Sequence, residues 1–418
     1  MILDRLFRSF VVKTSVLILG PRAEGWGYAT AARSLGYRTI ALLDRRGADV
    51  LEPRQRESVD QVVTVDAYDD EEELCALVDD LRFTRVLSAV IAGDETQAES
   101  AARLAGRHGL LSHSIKAARA SVDRGSLLTS LTEAGMPRIP VFRTVQTPEG
   151  ASEAGRAAGF PCVLRPVSRV AGDPVRVEDP DELDSAYDEA ASAARRARVT
   201  GDVIVESYIP GPELTLVGHV AHGDFQPVAV AERRLGPDPY MQPLGWLVRP
   251  ADQVPATRLT LWYVKTLAER LDVRFGVLRV HMRMQQDAPW LTGFGIGPGP
   301  DMLDELVRMT TGVNLAVADI ALRTGGRVPQ EPARFGAAGV SYIASARHAG
   351  RVYRRLGKWR EITRIDGVLS TRVEIAPGEL IPPRHDRSSR LARVVYAGGE
   401  YWQAGAVRSK LERAFTVI

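Results

Sequence analysis

Cysteine is nearly absent from this 418-residue chain: Cys75 and Cys162 stand far apart, with no second cysteine or histidine at metal-ligand spacing. That excludes a disulfide framework and a zinc site, and it fits a reducing compartment. Lysine is almost as scarce, with Lys13, Lys116, Lys265, Lys358 and Lys410 the only ones among 54 basic residues. Positive charge is therefore carried almost wholly by guanidinium. The net charge of only +2 argues against a dedicated nucleic-acid surface, which needs a basic excess on one face. No run approaches the roughly 20 apolar residues of a membrane span. The opening "MILDRLFRSFVVKTSVLILG" lacks the apolar core and small-residue cleavage site of a secretion signal. What is present is ordinary for a globular protein: 45% hydrophobic and 25% charged residues. The expectation is a cytoplasmic protein of two or three domains, acting on small molecules or proteins rather than on nucleic acid or membranes.

Residues 15 to 120 alternate short apolar runs ("SVLILG", "TIALLD", "DQVVTVD", "RVLSAVIAG") with helical stretches. This predicts a parallel sheet covered by helices, with ligands near the carboxyl ends of its strands. "LGPRAEGWGYATAA" lacks the glycine spacing of a dinucleotide loop. From Ser121 the pattern changes to a helix ending at Gly135, and then to strands mixed with helices, including a hairpin at His222-Gly223-Asp224. From Arg334 a β-rich segment with a closing helix follows. The expected units are 1–120, 121–215, 216–333 and 334–418.

One loop calls for an explanation. "TGFGIGPGPDMLDELVRMTTGVNL" places glycine at every second position from Gly293 to Gly299, yet Pro298 and Pro300 remove amides that a phosphate cradle would use.

Six features, in this order, carry a resemblance: the strand-and-helix alternation of residues 15 to 120, "DRGSLLTSLTEAGMPRIP", "GFPCVLRPV", "VIVESYIPGPEL", "TTGVNLAVADIALRTGG" and "SSRLARVVYAGGEYWQAGAVRSKLERA". The chain resembles the ATP-grasp superfamily, particularly the branch that joins a carboxylate to an amine in amino-acid and dipeptide ligases. The resemblance implies an α/β fold, α+β in its centre. It comprises a Rossmann-like pre-domain, a central nucleotide cleft between two lobes, and a β-rich C-terminal lobe. It also implies ATP as cofactor, an acyl-phosphate route to an amide, a carboxylate or amino-acid substrate, and a homodimer. Glu206, Tyr208 and Ile209 match the adenine hinge, and Glu213 matches the ribose carboxylate.

The remaining motifs depart from the family pattern. Arg124 and Arg165 stand where the family has phosphate-binding lysines, a change that keeps the charge but alters its geometry. "SRVAGDPVRV" replaces the glycine-rich lid, keeping Arg169 and Gly172. His281, Thr292 and Phe294 fall at the three magnesium-ligand positions, and none supplies a carboxylate or amide oxygen, so magnesium is not expected. Strand alternation sets Arg279, His281 and Arg283 on one face, which in the family register looks into the cleft as a candidate catalytic or anion-binding group. Asp301, Asp304 and Glu305 read as the acidic entry to a helix rather than as replacement ligands. Two functions remain open on this reading: a carboxylate-amine ligase, or a degenerate relative that binds an anion in a basic cleft as a regulatory partner or a metal-independent enzyme.

Overall fold

The computed structural model describes residues 14–68, 71–80, 87–197, 199–236, 239–253, 258–344, 350–382, 389–414 and 416–417; most of the segment read above for a secretion signal lies outside them. Strands β1 (Ser15–Leu19), β2 (Arg38–Asp44), β3 (Gln61–Val65) and β4 (Leu87–Ala92) form a parallel sheet in the order β3-β2-β1-β4. β1 is buried along its whole length, as expected for a strand covered on both faces. The chain runs outward from β1 to β3 and then crosses to β4 on the other side of β1. The strand order thus reverses between β1 and β4, which opens a crevice at their carboxyl ends. The loops leaving those ends touch: a Cβ on Gly25 would fall 1.6 Å from the Gly93 carbonyl oxygen.

The helix Arg124–Glu133 begins at Asp123, whose carboxylate accepts from the Ser126 amide at 2.6 Å. It leads into an antiparallel sheet of β5 (Phe142–Val145), β6 (Cys162–Pro166), β7 (Val175–Val177) and β8 (Val203–Ser207), ordered β5-β8-β6-β7. Helices Pro148–Ala158 and Leu183–Arg196 cover it, with Ala151, Ala154, Ala186 and Ala190 in a core beside Cys162, Leu164 and Val205.

The largest element is an eight-stranded sheet made of β9 (Glu213–Ala221), β10 (Asp224–Leu235), β11 (Pro243–Pro250), β12 (Phe275–Gln285), β13 (Ala288–Ile296), β14 (Ala337–Ala344), β16 (Val368–Val373) and β17 (Arg390–Gly398). A short pair, β15 (Leu356–Gly357) with β18 (Thr416–Val417), stands apart. Its order is β13-β12-β9-β10-β11-β14-β17-β16, so the strands after Arg334 extend the central sheet rather than forming a sheet of their own. The expected hairpin joins β9 to β10 through His222 and Gly223, both at positive φ (51° and 83°). One face of the sheet packs Leu278, Val280 and Met282 against Leu127 and Tyr263; the other packs Val217 and Val277 against Leu306 and Ala318.

Asp319, fully buried on helix Leu315–Arg323, ties the parallel sheet to the large one. Its Oδ2 accepts from the Tyr28 hydroxyl at 2.8 Å and faces Arg323 Nη2 at 3.1 Å, while Oδ1 accepts from the Val277 amide at 2.9 Å. Gly276, at φ +107°, leaves the room: a Cβ there would fall 2.5 Å from Oδ1. Among the described residues no helix is long and apolar enough to cross a membrane.

Candidate functional site

A cleft of about 1140 Å³ opens where the loops after β1 and β4, the small antiparallel sheet and strands β9, β10, β12 and β13 converge. Arg124, Arg165, Arg169, Glu206, Tyr208, Ile209, Glu213, His281, Arg283 and Thr292, all singled out from the sequence, line it. Arg279 does not, and the basic face of β12 is therefore split.

Arg279 is 1% exposed. It turns beneath the β13 loop, donating through Nη2 to Glu95 Oε1 at 2.6 Å and to the Ile296 carbonyl at 3.1 Å. That placement accounts for the alternating glycines. Gly293 pairs with His281 and Gly295 with Arg279 across the ladder, so their missing side chains leave space for the long ones opposite. A Cβ on Gly293 would meet His281 Cδ2 at 2.8 Å, and one on Gly295 would meet Arg279 Nη2 at 2.5 Å. Gly299, at φ +88°, clears Arg279 Nη1 in the same way, at 2.2 Å. The loop is a bed for cationic side chains.

Simple alternation fails at Thr292. His281 pairs with Gly293 while Met282 pairs with Leu291, so Thr292 is the extra residue of a β-bulge and turns into the cleft. Its buried Oγ1 has no partner. Phe294, opposite Val280, is fully buried in the core.

Arg124, expected on phosphate, grips Glu206 in a two-pronged ion pair: Nε to Oε1 at 2.9 Å and Nη2 to Oε2 at 2.6 Å. Burial alone would raise the Glu206 carboxyl, but Arg124 holds it below the ordinary carboxylate value. Arg124 keeps Nη1 without a partner. Glu213 is likewise taken. It sits in register between Arg233 and Arg283, with Arg233 Nη1 2.8 Å from Oε1 and Arg283 Nε 3.5 Å from Oε2. Arg283 also donates to the Ile209 carbonyl at 2.7 Å. Arg169 bonds the carbonyls of Ser121 (2.8 Å) and Phe294, and burial lowers its guanidinium to about 9.

Arg165 differs from Arg124, Arg233 and Arg283 in lacking an ion pair: among the described residues no carboxylate lies within ion-pair distance of it, and its Nε, like those of Arg233, Arg279 and Arg283, has no hydrogen-bond partner. Burial, with Arg124 and Arg233 nearby, pulls it down to about 10 against the attraction of Glu206. His281 sits between these cations, its Nδ1 2.6 Å from Thr215 Oγ1 and its ring stacked at 6.3 Å on Trp246. Burial first, then Arg233, Arg169, Arg279 and Arg165, hold it well below the ordinary histidine value, so it is neutral.

Magnesium demands near-octahedral oxygen ligands, usually one or two of them carboxylates. Four of the carboxylates here are committed, Glu95, Glu206 and Glu213 to arginines and Asp301 to Arg390 at 2.5 Å, while Glu24 and Glu305 also line the cleft. Asp304 accepts from the Leu315 amide at 2.6 Å, and burial pushes it up to about 6. Among the described residues no group of three His, Cys, Asp or Glu side chains is placed to hold a metal. The donor set does not fit magnesium.

Sequence reasoning missed Arg233 and Glu95. Arg233 carries a partial signal, since it lies on the β10 strand of the recognised hairpin. Glu95 carries none, because its contact with Arg279 joins residues far apart in sequence.

Sheet order, two-lobed cleft and crevice together define the ATP-grasp fold. No protein-family model matches the chain, and no curated protein matches it by sequence. In three dimensions it is similar to the L-amino acid ligase from Bacillus licheniformis, with TM-score 0.79 and 17% identity over 97% of this chain and 98% of that one. It is similar also to N5-carboxyaminoimidazole ribonucleotide synthetase from Thermotoga maritima (TM-score 0.67, 15% identity, 97% and 99% covered). A third likeness is the biotin carboxylase domain of Hydrogenobacter thermophilus 2-oxoglutarate carboxylase, solved with MgADP, ADP and bicarbonate (TM-score 0.65, 17% identity, 97% and 91% covered).

Proposed function

We propose that this protein uses an ATP-grasp scaffold to bind a small oxyanion, a phosphorylated or carboxylated molecule, without a divalent metal, in a binding or regulatory role. One observation carries the reading: Arg165 lines the cleft with no carboxylate at ion-pair distance among the described residues, beside Arg124, whose Nη1 has no hydrogen-bond partner. A half-buried guanidinium with no carboxylate at ion-pair distance is poised to receive an entering oxyanion, which supplies charge-assisted bonds. Neutral His281 and the unpartnered Thr292 hydroxyl offer further polar contacts to such a ligand.

The ligase reading draws support from the fold, which this chain shares end to end with an amino-acid ligase. The chemistry it draws from a metal has little support here, because Glu206, Glu213 and Asp301 are paired with arginines and no group of three metal-ligating side chains is placed together among the described residues. Calorimetric titration with ATP and with inorganic phosphate, in excess chelator and again in Mg²⁺, separates the two. Anion binding indifferent to metal is expected. Micromolar ATP binding that requires Mg²⁺ would overturn this reading in favour of the ligase.

A further inference from the structure

Arg283, 4% exposed, meets three of the four residues that the resemblance assigns to the nucleoside, the fourth, Glu206, being held by Arg124. Its Nη1 donates to the Ile209 carbonyl at 2.7 Å, its guanidinium lies 4.9 Å from the centre of the Tyr208 ring, and its Nε faces Glu213 Oε2 at 3.5 Å. Arg233 takes the other oxygen of Glu213 at 2.8 Å, and Arg176 also lies over the Tyr208 ring, at 4.2 Å. The carboxylate that would hold ribose hydroxyls is thus bound to two arginines, and the hinge aromatic is covered by two.

Freeing these groups for a nucleoside means breaking a buried ion pair. Leaving one partner uncompensated costs about 3–5 kcal/mol, against a return of about 0.5–1.5 kcal/mol for each neutral hydrogen bond formed in its place. In the same cluster, Arg165 Nε and Arg124 Nη1 carry no such penalty, because they have no partner to lose.

Building on the anion-binding reading above, we infer that the ligand is an oxyanion without a nucleoside, of the class of inorganic polyphosphates and small phosphorylated or polycarboxylated molecules, and that Arg283 sets this specificity by filling the nucleoside half of the cleft. The phosphate half of the ancestral site is kept for the ligand, and the base half is occupied by the protein itself.

The test is to titrate the full-length protein, in excess chelator, with inorganic triphosphate, ATP and adenosine, and to repeat the series with Arg283→Met. Triphosphate should bind at least as tightly as ATP to within about tenfold, and adenosine should give no heat; the variant should tighten ATP relative to triphosphate by about tenfold or more. ATP binding the unaltered protein more than about tenfold tighter than triphosphate, or adenosine binding at all, would overturn the inference while leaving the anion site standing. A folded variant with no gain for ATP removes Arg283 as the specificity residue. If neither anion binds without metal, the inference and the reading beneath it fall together. Should Arg283→Met fail to fold, the three titrations of the unaltered protein decide the ligand class alone.

Discussion

Two buried charged clusters of this molecule are built alike and end differently. Around Asp319, a tyrosine hydroxyl, a backbone amide and an arginine consume both carboxylate oxygens. Around Glu206 and Glu213, arginines also consume the carboxylates, but cationic donors are left over at Arg165 and Arg124. In the first cluster both oxygens of the carboxylate are used, although Arg323 Nε and the His113 ring nitrogens keep no hydrogen-bond partner there, and it links residues far apart in sequence. The second is open on its basic side. The two differ in position: the Asp319 cluster is sealed inside the fold, whereas the Glu206 and Glu213 cluster faces the cleft.

The largest effect expected is at the Asp319 cluster. Asp319→Ala strands Arg323 and the Tyr28 hydroxyl in the interior and should lower unfolding free energy by about 3–5 kcal/mol, read by urea denaturation. A loss below about 1 kcal/mol would mean the two sheets are held by apolar packing alone. Next comes the glycine bed: Gly295→Ala drives a methyl against the Arg279 guanidinium and should cost about 1–3 kcal/mol, whereas an unchanged midpoint would remove the packing account of the alternating glycines. At the open cluster the balance reverses. Arg165→Gln should change stability by no more than about 0.5 kcal/mol yet weaken phosphate or triphosphate binding about tenfold or more, some 1.4 kcal/mol; equal affinity would show that the unpartnered guanidinium is not the anion site.

The smallest effect is in pH. His113 and His281 are both held well below 6.5, burial being the main cause in each. A base whose folded value is depressed takes up its proton preferentially in the unfolded chain, so its stability contribution is present above the ordinary histidine value and lost as pH falls below it. Stability of the unaltered protein should therefore decline below about pH 6.5, and His281→Gln should shallow the decline. Saturating triphosphate should shallow it as well, because an anion near His281 favours its protonation, while His113, 3.9 Å from Asp319, keeps its share. A slope indifferent to both changes would separate His281 from the anion.

The parallel sheet, the opening helix at Arg124 and the His222-Gly223 hairpin were legible because each follows from local periodicity or turn chemistry. That His281, Thr292 and Phe294 stand at the expected magnesium positions is a reading of the sequence, in which neither phenylalanine nor threonine replaces a carboxylate. Two single-residue slips were not legible. Counting back from the hairpin turn pairs Glu213 with Glu232, but the irregularity between Pro227 and Ala229 brings Arg233 opposite instead. The bulge at Thr292 likewise defeats alternation, turning Thr292 into the cleft while Phe294 enters the core. A shift of one residue reverses which side chain faces which surface, and periodicity contains no record of it.

By itself, then, the sequence determined the elements, their order, and a cleft rich in guanidinium and poor in lysine, because these depend on neighbours along the chain. Only the tertiary structure decided which arginines are spent and which are spare. Arg279 is neutralised by Glu95, far away in sequence, Arg124 by Glu206 and Arg283 by Glu213, while Arg165 has no carboxylate at ion-pair distance among the described residues. Pairing of buried charge is a contest among side chains distant in sequence, settled by distance and desolvation once the chain has folded.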